Sequence, residues 1–151
     1  MSRTLATEAD TAALGGQIAA VLRPGDVIAL SGDLGAGKTS LARAIIAALG
    51  WAGDVPSPTY TLVQSYDPPD VRVPVWHIDL YRIEQPDDAD ALGLFETDAA
   101  LLIEWPERLG ARLPPEALKL HLSGSGDAPR RLTWEPAPSW EGRWPQQTPP
   151  K

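Results

Sequence analysis

Apolar and polar positions along the chain follow two periods, and the switches between them set out the expected elements. Leu14, Ile18, Val21 and Leu22 recur at helical spacing, so Thr7 to Leu22 predicts a helix. Thr7 and Asp10 stand at capping-box spacing at its start, and Pro24-Gly25 breaks it. Val27-Ile28-Ala29-Leu30 is a continuous apolar run, which fits a strand covered on both faces, as in a parallel sheet. The Ala/Leu/Ile-rich stretch from Thr39 to Leu49 predicts a second helix, with Gly50 as its C-terminal cap. Pro56-Ser57-Pro58 excludes helix. Tyr60 to Tyr66 and Val71 to Asp79 then predict an antiparallel hairpin around Pro68-Pro69-Asp70, its second strand alternating Val71, Val73, Val75 and His77 with Arg72 and Trp76.

Asp87 to Leu94 predicts a short acidic helix ended or bent at Gly93, and Ala100-Leu101-Leu102-Ile103 a second buried strand closing on Glu104. Leu118, Leu120 and Leu122 alternate with Lys119 and His121, and Arg131 to Trp134 predicts a last strand. Residues 1–135 are therefore expected to form one α/β domain. From Pro136 to Lys151 prolines stand among polar residues with almost no aliphatic side chains, so this tail is expected to be disordered. Trp140 and Trp144 are the two residues there that could pin it to a surface.

Composition narrows the possibilities. A chain of 151 residues, 43% hydrophobic, can bury one core without staples, and the lack of cysteine excludes disulfides, Cys-ligated metals and a thiol nucleophile. With no run near the ~20 apolar residues of a membrane span and no apolar segment after Met1, the chain reads as soluble and cytoplasmic, with no membrane partner. A net charge of −7 argues against a direct grip on nucleic acid, which is expected only through a partner. Seven acids and no base between Ile83 and Trp105 read first as a solvated face and second as a docking face for a basic surface.

The candidate chemistry begins at Gly32-Asp33-Leu34-Gly35-Ala36-Gly37-Lys38-Thr39, a full G-x-x-x-x-G-K-[ST] between an apolar strand and a helix. Glycines let successive main-chain N–H groups converge on a phosphate, and the helix start adds its positive end. Phosphate contacts are thus expected from Asp33, Leu34, Gly35, Ala36, Gly37, Lys38, Thr39 and Ser40. Lys38 would reach the β- and γ-phosphates, and the Thr39 hydroxyl would bind Mg2+. Such a site also needs a carboxylate at a strand end, and Asp79 and Glu104 compete for it, as metal ligands or as the group that orients the attacking water. Ser57-Pro58-Thr59 reads as a plain turn from its residues alone. With two histidines and no cysteine, a histidine metal site is implausible; His77 is expected to pack at the hairpin or to bond a backbone group. Trp51 and Trp76 read as packing residues.

Four motifs in order, the phosphate loop, Ser57-Pro58-Thr59-Tyr60, His77-Ile78-Asp79-Leu80-Tyr81-Arg82 and Glu104-Trp105-Pro106, resemble the bacterial TsaE (YjeE) family of tRNA threonylcarbamoyladenosine biosynthesis. The resemblance spans Thr7 to Trp134 and implies a three-layer P-loop NTPase-type α/β sandwich on a mixed central sheet. It implies an ATPase with ATP and Mg2+, Thr39 and Glu104 serving the ion, and Asp79 as a second essential carboxylate. It implies that Ser57, Thr59 and Tyr60 belong to a switch loop, that Glu8 to Ala12 approach the adenine, and that Tyr81, Arg82 and Trp105 belong to the switch and partner side. The partners it implies are TsaB and TsaD, with tRNA met through them. Arg130 and Arg131 are further candidate nucleotide contacts. No arginine finger stands out, so weak ATP hydrolysis, stimulated by partners, is expected. A small P-loop metabolite kinase and a non-catalytic, nucleotide-dependent binding module are the alternatives.

Overall fold

The apolar runs become the middle of one sheet. The computed structural model describes residues 1–58, 61–135 and 137–145. Its elements are β1 (Ser2–Leu5), α1 (Glu8–Val21), β2 (Val27–Ser31), α2 (Lys38–Ala48), β3 (Val63–Tyr66), β4 (Val75–Asp79), β5 (Ala100–Glu104), β6 (Leu118–Ser123) and β7 (Arg130–Trp134). The strands lie in the order β1-β7-β6-β2-β5-β4-β3. β2 is parallel to both β5 and β6, and β4 is parallel to β5. The outer pairs β3/β4, β6/β7 and β1/β7 are antiparallel, so the sheet is mixed. β2 and β5, the two most apolar strands, sit where both faces are covered.

Two cores flank the sheet. On one face Ile28, Leu30, Leu102 and Val75 meet Leu14 and Ile18 of α1 and Leu41 and Ile45 of α2. A Cβ on Gly15 would lie 2.6 Å from that of Ala44, so only glycine lets α1 and α2 approach this closely. On the other face Val27, Ile78, Leu101 and Ile103 are covered by Ala89, Leu94 and Leu109. These come from two 3₁₀ segments, Pro86–Leu92 and Pro106–Arg112, and the turn after the first. The three-layer arrangement therefore holds, with 3₁₀ turns as its third layer. Because strand side chains alternate, His77 and Asp79 share the α-helical face with Val75, and Glu104 shares it with Leu102.

Several expectations need correction. The acidic helix is a 3₁₀ segment, opened by Gln85 and Asp88 in a capping box and closed by Gly93 in the left-handed region. The second hairpin strand starts at Val75 rather than Val71; Val71 and Val73 enter the core from a loop tied to α2 by Arg72 N–H donating to Leu49 O at 2.9 Å. β1 was not expected: it carries one buried residue, Leu5, too few to register as alternation. Residues 137–145 are not a loose tail. Trp140 and Trp144 are 1% and 2% exposed within the α-side core, and a 3₁₀ turn spans Pro138–Trp140. Arg143 bonds Asp26 and the Val21 carbonyl. Two indoles supply the apolar area that the missing aliphatic side chains do not. Pro136 and residues 146–151 lie outside the described residues.

Candidate functional site

The turn from β2 into α2 is built for close backbone approach. Gly32 has φ +138°, and a Cβ there would lie 2.2 Å from the Leu122 carbonyl oxygen of β6, so no side chain fits. Gly37, with φ +105°, is the N-cap of α2, and no side chain there caps the helix. The first-turn N–H groups of α2 are thus left facing the loop, the arrangement that attracts a phosphate.

Lys38 is buried, 5% exposed. Its ammonium donates to the Gly32 carbonyl and, at 3.4 Å, to that of Asp33, and it lies 3.7 Å from the centroid of the Trp105 ring. Among the described residues no carboxylate lies within ion-pair distance of it. Burial lowers the Lys38 pKa below the usual lysine value, although Glu104, Glu107, Asp79 and Asp33 pull it upward. The result is a desolvated cation in need of negative charge.

Opposite it, parallel pairing sets Asp79 and Glu104 side by side at the ends of β4 and β5, both buried. The Thr39 hydroxyl donates to Glu104 Oε1 at 2.8 Å, across the 65 residues that separate them. Asp79 Oδ1 accepts the Tyr81 main-chain N–H at 2.9 Å. His77 is fully buried, and its Nε2 lies 2.6 Å from Glu104 Oε2. His77 packs in the β3/β4 hairpin as expected, but its hydrogen-bond partner is a carboxylate and not a backbone group. The signal was available in the even spacing of His77 and Asp79, which puts both on one strand face.

A cleft of about 930 Å³ runs over these groups. Its lining includes Leu34, Gly35, Gly37, Lys38, Thr39, Ser40, Asp79, Glu104, Tyr81 and Trp105. It is lined as well by residues 5–8, Thr11, Ala12 and the β6–β7 turn, so Glu8 and Ala12 border the same cleft as Lys38. Trp105 is half-buried, holds φ +60°, and packs on Tyr81 at 5.0 Å between ring centroids; it roofs Lys38 rather than standing free. Arg130 lines the cleft and donates to the Gly35 carbonyl at 3.0 Å, whereas Arg131 reaches Ser2 Oγ.

The remaining candidates lie further out. Ala36 is buried beneath the loop, Asp33 is exposed, and Ser57 and Arg82 are exposed and outside the cleft lining. Thr59 and Tyr60, the other half of the expected switch segment, lie outside the described residues. Among the described residues no three His, Cys, Asp or Glu side chains cluster as a metal cage. No helix among them is long and apolar enough to cross a membrane.

Comparison with known proteins agrees with this geometry. The family described as "Threonylcarbamoyl adenosine biosynthesis protein TsaE" matches residues 5–132. The tRNA threonylcarbamoyladenosine biosynthesis protein TsaE of Bacillus subtilis is 38% identical over 128 residues, covering 83% of this chain and 78% of its own. The protein of the same name from Mycobacterium bovis is 36% identical over 141 residues, covering 87% of this chain and 84% of its own. The crystal structure of Bacillus subtilis YdiB superposes with a TM-score of 0.74 at 30% identity, over 91% of this chain and 85% of that one.

Proposed function

The chain belongs to the TsaE family, and from that premise we propose that it acts in tRNA threonylcarbamoyladenosine biosynthesis as a Mg2+-dependent ATPase. The observation that carries the ATPase reading is the pairing of a buried ammonium lacking a carboxylate, Lys38, with a hydroxyl–carboxylate pair, Thr39 and Glu104, at the mouth of one helix.

The residues divide the work by position. Main-chain N–H groups of residues 35–39 and the start of α2 receive the phosphates, with the Lys38 ammonium beside them. Thr39 and Glu104, with Asp79 alongside, would hold Mg2+; the described residues offer no all-protein cage, so an ion there would also need oxygens from phosphate or water. When bound, the ion neutralises charge that develops on the phosphates. Asp79, one carboxylate oxygen of which accepts the Tyr81 N–H, would orient the attacking water. Glu8 and Ala12 meet the adenosine end.

Among the described arginines lining the cleft, Arg43 is engaged by the Val55 carbonyl at 2.7 Å and Arg130 by the Ala128 and Gly35 carbonyls at 2.8 and 3.0 Å. Both are already engaged by main-chain carbonyls, so neither stands ready as an arginine finger and hydrolysis by the chain alone is expected to be slow. We infer that TsaB and TsaD are its partners, that its turnover resets their threonylcarbamoyl transfer, and that tRNA is met through them, in keeping with the net charge of −7. The test is ATP turnover by the purified chain with and without TsaB and TsaD. Stimulation is expected, together with a loss of about 100-fold or more in Glu104→Ala at nearly unchanged ADP affinity without magnesium. Turnover of tens per second by the chain alone, indifferent to both partners, overturns the reading.

A further inference from the structure

His77 is the buried polar residue whose position phosphate binding does not explain. It sits in the middle of β4, 0% exposed, paired in register with Gln64 on one side and Leu102 on the other. An imidazole there is costly unless it is hydrogen-bonded. It has one partner: Nε2 to Glu104 Oε2 at 2.6 Å, while Nδ1 meets no hydrogen-bonding atom among the described residues. An orphaned buried N–H is less tolerable than an orphaned lone pair, so the ring proton belongs on Nε2, which donates to Glu104.

Glu104 is then gripped at both oxygens, Oε2 by His77 and Oε1 by the Thr39 hydroxyl. The two grips differ in kind. Thr39 sits on the first turn of α2, facing the cleft, and its hydroxyl is free to turn toward a ligand. His77 is locked by the sheet and cannot follow. Once the hydroxyl turns away, the imidazole N–H is what still fixes the plane of the carboxylate.

We propose that His77 is the positioning residue of the magnesium–nucleotide site: its Nε2–H holds Oε2 of Glu104 so that Oε1 alone faces Thr39 and the cleft. This rests on the reading that Thr39 and Glu104 hold Mg2+. An outer hydrogen bond of this sort tunes a metal ligand without touching the metal, and its loss lowers affinity or activity by about 10- to 100-fold.

The test measures ADP affinity by calorimetry with and without magnesium chloride, on the full chain and on His77→Leu and His77→Gln, each checked for a cooperative thermal transition. In the parent chain magnesium tightens ADP binding. In His77→Leu, affinity without magnesium stays near the parent's while the magnesium-dependent gain falls by about 10-fold or more. Glutamine carries an N–H at similar reach, so His77→Gln restores the gain to within about threefold of the parent. Should the leucine variant fail to fold, His77→Asn replaces it, since its shorter amide falls short of Glu104. A parent-like gain in the leucine or asparagine variant overturns the proposal, as does a folded glutamine variant as defective as leucine. If the parent itself shows no gain from magnesium, the Thr39–Glu104 reading has failed, which is a separate result.

Discussion

Lys38 and Arg143 each lie over a tryptophan face, with the charge 3.7 Å from the Trp105 centroid and 4.3 Å from that of Trp140, yet their surroundings differ. Arg143 has an acid, Asp26, and also donates to the carbonyls of Val21 and Ser139. Lys38 has two carbonyls and the ring, with its carboxylates beyond ion-pair reach. A cation whose neighbours already neutralise it is a clasp, here closing residues 137–145 onto the end of α1. A cation left without a paired acid is a binding group; burial lowers the Lys38 pKa, and the more distant carboxylates offset that only in part.

The contrast can be broken at several points. The largest effect is expected from Arg143→Ala, which leaves the partly buried Asp26 without its cation: urea titration should show a loss of about 3 kcal/mol, with nucleotide affinity intact. A stability near the parent's would mean that the 137–145 segment is not clasped. Next comes Gly32→Ala, where the clash with Leu122 and φ of +138° should cost about 2 kcal/mol and, unlike Arg143→Ala, weaken ADP binding as well. Parent-like binding in a stable variant would show that the loop is not held by β6.

The smallest effect is a pH dependence. A lysine with a lowered folded pKa binds its proton more tightly when unfolded, so the cost of burying the cation is fully present below the folded pKa. That cost is relieved as pH rises through it toward 10.5. The stability of the nucleotide-free parent relative to Lys38→Met should therefore increase over that alkaline window. A flat difference would mean that Lys38 is better compensated than its geometry indicates.

What the residues disclosed in advance follows from how local each feature is. The phosphate loop, the Thr7–Asp10 cap and the β2 and β5 runs are set by neighbours in sequence, and the structure keeps all of them. Asp79 and Glu104 end their strands as the apolar runs indicate, although their adjacency needs the β4–β5 register. The packing of His77 in the hairpin is legible too, but its carboxylate partner is not, since Glu104 lies 27 residues away on another strand. β1 and the packed Trp140 and Trp144 draw their stability from contacts with residues far off in the chain, which a local pattern does not carry.

Calorimetric titration of ATP into Lys38→Ala, beside the parent chain, puts the central claim to its most direct test. If this ammonium is the charge that awaits a polyphosphate, the variant stays folded and loses affinity by about 100-fold. Undiminished ATP uptake by the variant would contradict the account.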